Sequence, residues 1–171
     1  MIKLIVGPKG AGKTKTMIDM INAAVKTTEG NIVVIEKSMK LTTDINHAAR
    51  LLDVDEYHVE GADMLYGFVA GVLAGNYDIT ELFIDGLLKI VDHNMDAAAA
   101  LLAKIDSITN GVEVIVTISS AEEALPESIK KYPTHNSTKE NPYNRGGAIR
   151  LRPCFVRFGK MKGISHTTGS A

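Results

Sequence analysis

The chain contains a single cysteine, Cys154, and that scarcity removes two classes of architecture at once. One thiol makes no internal disulfide and supplies no multi-thiolate zinc site, which agrees with a reducing compartment and makes the cytoplasm the expected location. Long apolar runs are also missing: none approaches the roughly 18 residues of a membrane span, and the N-terminal apolar stretch is too short for a signal peptide. Net charge is almost nil, with 19 Lys and Arg against 20 Asp and Glu in 171 residues. At 45% hydrophobic content such a length suits one globular domain with an ordinary core. The five histidines are dispersed, and none pairs with a carboxylate at metal-ligand spacing, so His47, His58 and His93 are assigned no metal. No internal repeat is present.

The even balance hides an asymmetry. Residues 1–132 carry 12 basic and 19 acidic side chains, whereas 133–171 carry 7 and 1. From Pro133 the chain is rich in Asn, Ser, Thr, His, Gly and Arg and loses apolar periodicity, which places a boundary between a domain at 1–132 and a basic polar extension at 133–171. Arg145, Arg150, Arg152, Arg157, Lys160 and Lys162 surround Phe155 and Phe158 there, a composition that attracts nucleic acid or an acidic surface. A solvated flexible arm is the preferred account of it.

Within the first part, helical and strand patterns alternate. Residues 2–6, 31–36, 82–85 and 112–118 read as short strands, and 31–36 is an apolar run rich in β-branched residues, as expected of a strand buried on both faces. Met17, Ile18, Ile21, Ala24 and Val25 recur at helical spacing over 13–26, and Glu29-Gly30 ends that helix. Thr42, Thr43 and Asp44 offer N-caps for a helix presenting Ile45, Ala48, Ala49, Leu51 and Leu52, and a further apolar helix covers 62–74. Asn94 caps a helix with Ala98, Leu101, Leu102, Ile105 and Ile108 on one face, closed by Asn110-Gly111. Ser120-Ala-Glu-Glu123 matches a capping box and predicts a last helix reaching about Tyr132. The alternation predicts a three-layer α/β fold, a mostly parallel sheet flanked by helices, with right-handed crossovers and ligands at the carboxyl ends of the strands.

The most specific pattern lies between the first strand and the first helix. Residues 7–14 read Gly-Pro-Lys-Gly-Ala-Gly-Lys-Thr and complete the G-x-x-x-x-G-K-[ST] phosphate-binding loop in the strand–helix context it requires. Its glycines allow φ above zero, so that several N–H groups can face one anion. Lys13 adds a mobile positive charge for outer phosphates, and Thr14 offers a hydroxyl to a magnesium ion. The free N–H groups and dipole of the following helix favour phosphate at the same point. Gly7, Pro8, Lys9, Gly10, Ala11, Gly12, Lys13, Thr14 and Lys15 are therefore the candidate nucleotide-binding residues. Guanine recognition usually needs Asn-Lys-x-Asp, and the nearest string, Ala103-Lys-Ile-Asp106, lacks the asparagine, so ATP with Mg²⁺ is the expected pair.

Glu81-Leu-Phe-Ile-Asp85-Gly86 resembles the Walker B strand of P-loop nucleotide hydrolases, an apolar run ending in a carboxylate. That resemblance makes Asp85, with Thr14, the candidate metal pair. The extra strand between loop and carboxylate resembles the RecA-like branch of P-loop ATPases more than the simple GTPase order. In that branch a catalytic glutamate follows the Walker B aspartate or sits on the neighbouring strand. Position 86 is glycine, so the resemblance points to Glu36, ending the second strand, for water activation; a solvated strand edge is its other reading. Ser119, in Thr117-Ile-Ser119-Ser120, is similar to the polar sensor position such ATPases place between loop strand and Walker B strand, whereas helix capping accounts for Ser120. Lys13, Glu36 and Ser119 are thus the catalytic candidates. More broadly, Ile-Val-Gly-Pro-Lys-Gly-Ala-Gly-Lys-Thr-Lys, Val-Ile-Glu-Lys, Phe-Ile-Asp-Gly-Leu-Leu-Lys-Ile-Val and Ala-Leu-Pro-Glu-Ser-Ile-Lys-Lys-Tyr resemble a group of small bacterial P-loop proteins described as ATP-binding or twitching-motility-like. The likeness covers 1–132 and implies a compact ATP-binding core.

A small-molecule kinase is the main enzymatic competitor. Kinases of this size clamp phosphates with several arginines, and residues 1–132 hold only Arg50. Rapid turnover would need Lys15, Arg50 or a residue from another subunit. The expected function is accordingly a slow Mg-dependent ATPase acting through a protein partner or a homo-oligomer. The non-enzymatic alternative is a nucleotide-dependent switch in which turnover only resets the state.

Overall fold

Runs that are apolar on both faces need cover on both sides, and the sheet supplies it. A computed structural model describes residues 1–38, 41 and 43–136. The strands are β1 (Ile2–Gly7), β2 (Asn31–Glu36), β3 (Arg50–Asp53), β4 (Ile79–Ile84), β5 (Glu113–Ser119) and β6 (Thr134–Asn136). They form one six-stranded sheet in the order β3-β2-β4-β5-β1-β6, with every neighbouring pair parallel. The helices are α1 (Lys13–Ala24), α2 (Gly61–Gly75), α3 (Leu87–Ile90), α4 (Met95–Ile108) and α5 (Glu127–Lys130). The architecture is α/β, an all-parallel sheet flanked by helices.

Period-two alternation divides the sheet's side chains between two cores. Leu4, Val33, Leu82 and Val116 join Leu65, Val69, Leu101 and Ile129 from α2, α4 and α5. Ile5, Val34, Phe83 and Ile115 join Met17 and Ile21 of α1, together with Leu41, Ile45 and Ala49. Continuing that alternation past Val34, Phe83 and Ile115 brings Glu36, Asp85, Thr117 and Ser119 to the side of the sheet that carries α1. Chain direction puts all of them at the carboxyl ends of the strands. Among the described residues no helix is long and apolar enough to cross a membrane.

Three expectations change. The stretch from Leu41 is not a helix: turns span 43–49, and Arg50–Asp53 is β3, paired with β2 from Val33↔Arg50 to Glu36↔Asp53. The outer edge of β2 offers N–H and C=O groups that need partners, and strand pairing satisfies them. Leu52 then buries in one core while Leu51 packs against the other, a period of two where the sequence suggested 3.6. Of the proposed caps, Thr42 lies outside the described residues. The last helix is also broken. Glu122–Ala124 forms a 3₁₀ turn, Leu125 is extended, and α5 begins only after Pro126. The ring restricts the residue before it to extended backbone, which interrupts any continuous helix. The Ser120 hydroxyl donates to the Ala121 carbonyl at 3.1 Å instead of capping. Finally, the sheet continues past Pro133: Leu4 N–H donates to the Pro133 carbonyl at 2.8 Å, and β6 pairs with β1. Cys154 and the basic residues from Arg145 onward lie outside the described residues. The Asn94 cap forms as expected, its side chain accepting from Ala97 N–H at 3.0 Å.

Candidate functional site

The loop after β1 turns on two glycines. Gly10 (φ 85°) and Gly12 (φ 84°) hold left-handed backbone, and a Cβ at either would meet nothing within 4 Å. Gly12 caps α1 without a side-chain hydrogen bond, and no acidic residue stands in the first turn. The N–H groups at this helix start are therefore left to whatever anion approaches. Lys13 is only 7% exposed, and its ammonium donates to the Pro8 carbonyl at 2.8 Å. Burial lowers its pKa, the Asp85 carboxylate opposes that shift, and the charge of Lys89 reinforces it. The lysine is thus held back over its own loop at an electrostatic cost that a bound anion would relieve.

Opposite the loop, three strands deliver polar groups to one point. Asp85 follows β4, with its N–H fastened to the Ile35 carbonyl of β2 at 2.9 Å. One oxygen, Oδ1, accepts from the Thr117 hydroxyl at 2.8 Å and, more weakly, from the Thr14 hydroxyl at 3.5 Å. The Thr117 Oγ1 in turn accepts the Gly86 N–H at 2.6 Å. Thr117 is 1% exposed, its bond from Gly86 N–H is buried and its bond to Asp85 part-buried, so the hydroxyl fixes the carboxylate's orientation from the protein side. Sequence reasoning passed over Thr117. The available signal was its place as the one polar residue inside the apolar run Val114–Ile118, two positions before Ser119 and on the same face.

A cavity of about 590 Å³ lies between the two sides. Lys9, Gly10, Gly12, Lys13 and Thr14 line it from the loop, and Asp85, Thr117 and Ser119 from the strand ends. Ser119 is exposed and stands in register with Gly7 across β1 and β5. Gly86, Leu88, Lys89 and His93 also line the cavity; Lys89 falls in the stretch Phe-Ile-Asp-Gly-Leu-Leu-Lys-Ile-Val but was given no role from the sequence. Among the described residues three lysines therefore face one carboxylate, and a cavity of that charge attracts a polyanion.

No protein-family model matches this chain, and no curated protein matches it. Gly7 ends β1, and the Pro8 carbonyl holds Lys13 and accepts Ala11 N–H at 3.2 Å. Lys15 is exposed on α1, outside the cavity wall. Glu36 is 1% exposed, and its Oε1 accepts the Leu41 N–H at 3.0 Å; it too is outside the wall. Arg50 pairs with Val33 at the amino end of β3, roughly 10 Å of strand back from Glu36 and the carboxyl ends. Among the described residues no group of three or more His, Cys, Asp or Glu is placed to hold a metal by itself. A hard cation such as Mg²⁺, which takes one or two protein oxygens and completes its shell with phosphate and water, fits the Thr14–Asp85 pair.

Proposed function

We propose that this chain binds ATP with Mg²⁺ as a P-loop protein of the RecA-like type, hydrolyses it slowly, and works in the cytoplasm through a protein partner or self-assembly. One observation carries the reading: the loop 7–14, the Thr14–Asp85–Thr117 bonds and the buried Lys13 meet around one positively charged cavity at the carboxyl ends of the strands. Support also comes from strand order, because β5, with Thr117 and Ser119, lies between β1 and β4.

In this reading the Lys13 ammonium exchanges the Pro8 carbonyl for phosphate oxygens, a stronger charge-assisted bond. The backbone N–H groups of Gly10 and of Gly12 to Thr14 hold the inner phosphates. Thr14 and Asp85 would hold the magnesium ion, which when bound neutralises charge on the outer phosphates. Thr117 keeps Asp85 turned toward that position, and Ser119 stands at the rim. Slow turnover follows from the wall's composition, since among the described residues Asp85 is its one carboxylate and Glu36 lies outside it. The same fact favours the switch as the second reading, with hydrolysis reduced to a reset.

Titration of MgATP into the parent and Lys13→Ala proteins tests the proposal. The parent should bind and the variant should lose binding while unfolding within about 1 kcal/mol of the parent, because no core cavity is opened. Equal affinity of the two proteins would falsify it. Phosphate release per molecule that rises with protein concentration would identify self-assembly, and release that stays at background would identify the switch.

A further inference from the structure

The cation that residues 1–132 lack among their arginines is present in the cavity as Lys89. It sits at the third position of α3, directly after Asp85-Gly86. Lys89 itself is exposed, while its three helix neighbours, Leu87, Leu88 and Ile90, are buried and hold the short helix against the sheet. Gly86 has φ +70°, and a Cβ there would stand 3.2 Å from Lys89 Cδ and 3.5 Å from its Cε and Nζ. The lysine stem therefore folds back across the glycine, which leaves the ammonium beside the residue that follows the metal-candidate carboxylate. Glycine at this position serves a close approach as well as a left-handed turn.

Among the described residues, Lys89 has no carboxylate within 4.0 Å. It faces the same cavity as Lys9 and Lys13 but from the opposite wall. An ammonium held there without a counter-charge, across from the phosphate loop, is complementary to the outer end of a polyphosphate. Arg50 stands at the other end of the sheet and Lys15 lies outside the wall, so neither competes for the role.

We propose that Lys89 contacts the outermost phosphate of a nucleoside triphosphate and is the residue by which this site distinguishes triphosphate from diphosphate. The inference rests on the ATP reading above. It also deepens that reading, since a lysine on α3 ties the presence of the last phosphate to the segment that leads into α4.

The test is calorimetric titration of the parent, Lys89→Met and Lys89→Arg with Mg-ADP and with a non-hydrolysable ATP analogue. Methionine keeps the stem over Gly86 and removes only the charge; a thermal melt verifies folding, and arginine restores the charge. Lys89→Met should weaken the analogue about tenfold or more, the effect of one charge-assisted bond, and change ADP less than threefold. Lys89→Arg should keep most of the parent's preference. Unchanged preference in Lys89→Met, or equal loss for both nucleotides, overturns the role of Lys89 and leaves ATP binding standing. Absence of any nucleotide binding by the parent overturns both.

Discussion

Thr117 shows how a buried hydroxyl can matter more than an exposed one. Its oxygen stands between the Asp85 carboxylate and the Gly86 N–H, so removing it strands a charged acceptor and a backbone donor together. Thr117→Val keeps the shape and deletes both bonds, and a loss of about 1–3 kcal/mol is expected in urea unfolding. MgATP affinity should fall with it, since Asp85 loses its orienting partner. Ser119→Ala, at an exposed position, should change stability by less than about 0.5 kcal/mol. Equal effects of the two substitutions would refute this ranking. Glu36 belongs with Thr117 as a buried polar group whose partner was invisible in sequence: the carboxylate fastens the connection between β2 and Leu41.

At the level of strands and helices, the junctions decide what local pattern leaves open. Gly30 joins α1 to β2 where β4 begins, and a Cβ there would lie 2.4 Å from the Asp78 carbonyl oxygen and 2.4 Å from Thr80 Cγ2. The carbonyl cannot yield, because it accepts the Asn31 N–H at 2.7 Å. Gly30→Ala is therefore expected to destabilise by about 1–3 kcal/mol, readable as a lowered urea midpoint. An unchanged midpoint would mean that the β2–β4 junction is looser than described. The long helices were legible because their apolar residues repeat over several turns; β3 was not, because four residues carry no periodicity of their own and became a strand only through the open edge of β2. Pro126 was visible, yet the capping-box pattern before it suggested continuity that the ring forbids.

Taken as one body, the described residues end their sheet on β6, beyond the compositional boundary at Pro133. A chain ended at Asn136 keeps this strand on β1, whereas one ended at Tyr132 leaves the β1 edge bare. The shorter chain should unfold at lower urea concentration and be more prone to associate, as circular dichroism and gel filtration would show. Matching midpoints would mean that β6 adds nothing to stability. Sequence alone determined the phosphate-loop pattern, the buried strands and the α/β alternation, because these are written in contiguous residues whose spacing, glycine content and apolar runs act locally. Only tertiary structure decided which polar groups share the cavity. Thr14, Asp85, Lys89 and Thr117 are brought together by parallel pairing of β4 with β5 and of β5 with β1, and no local rule relates residues separated by so much chain.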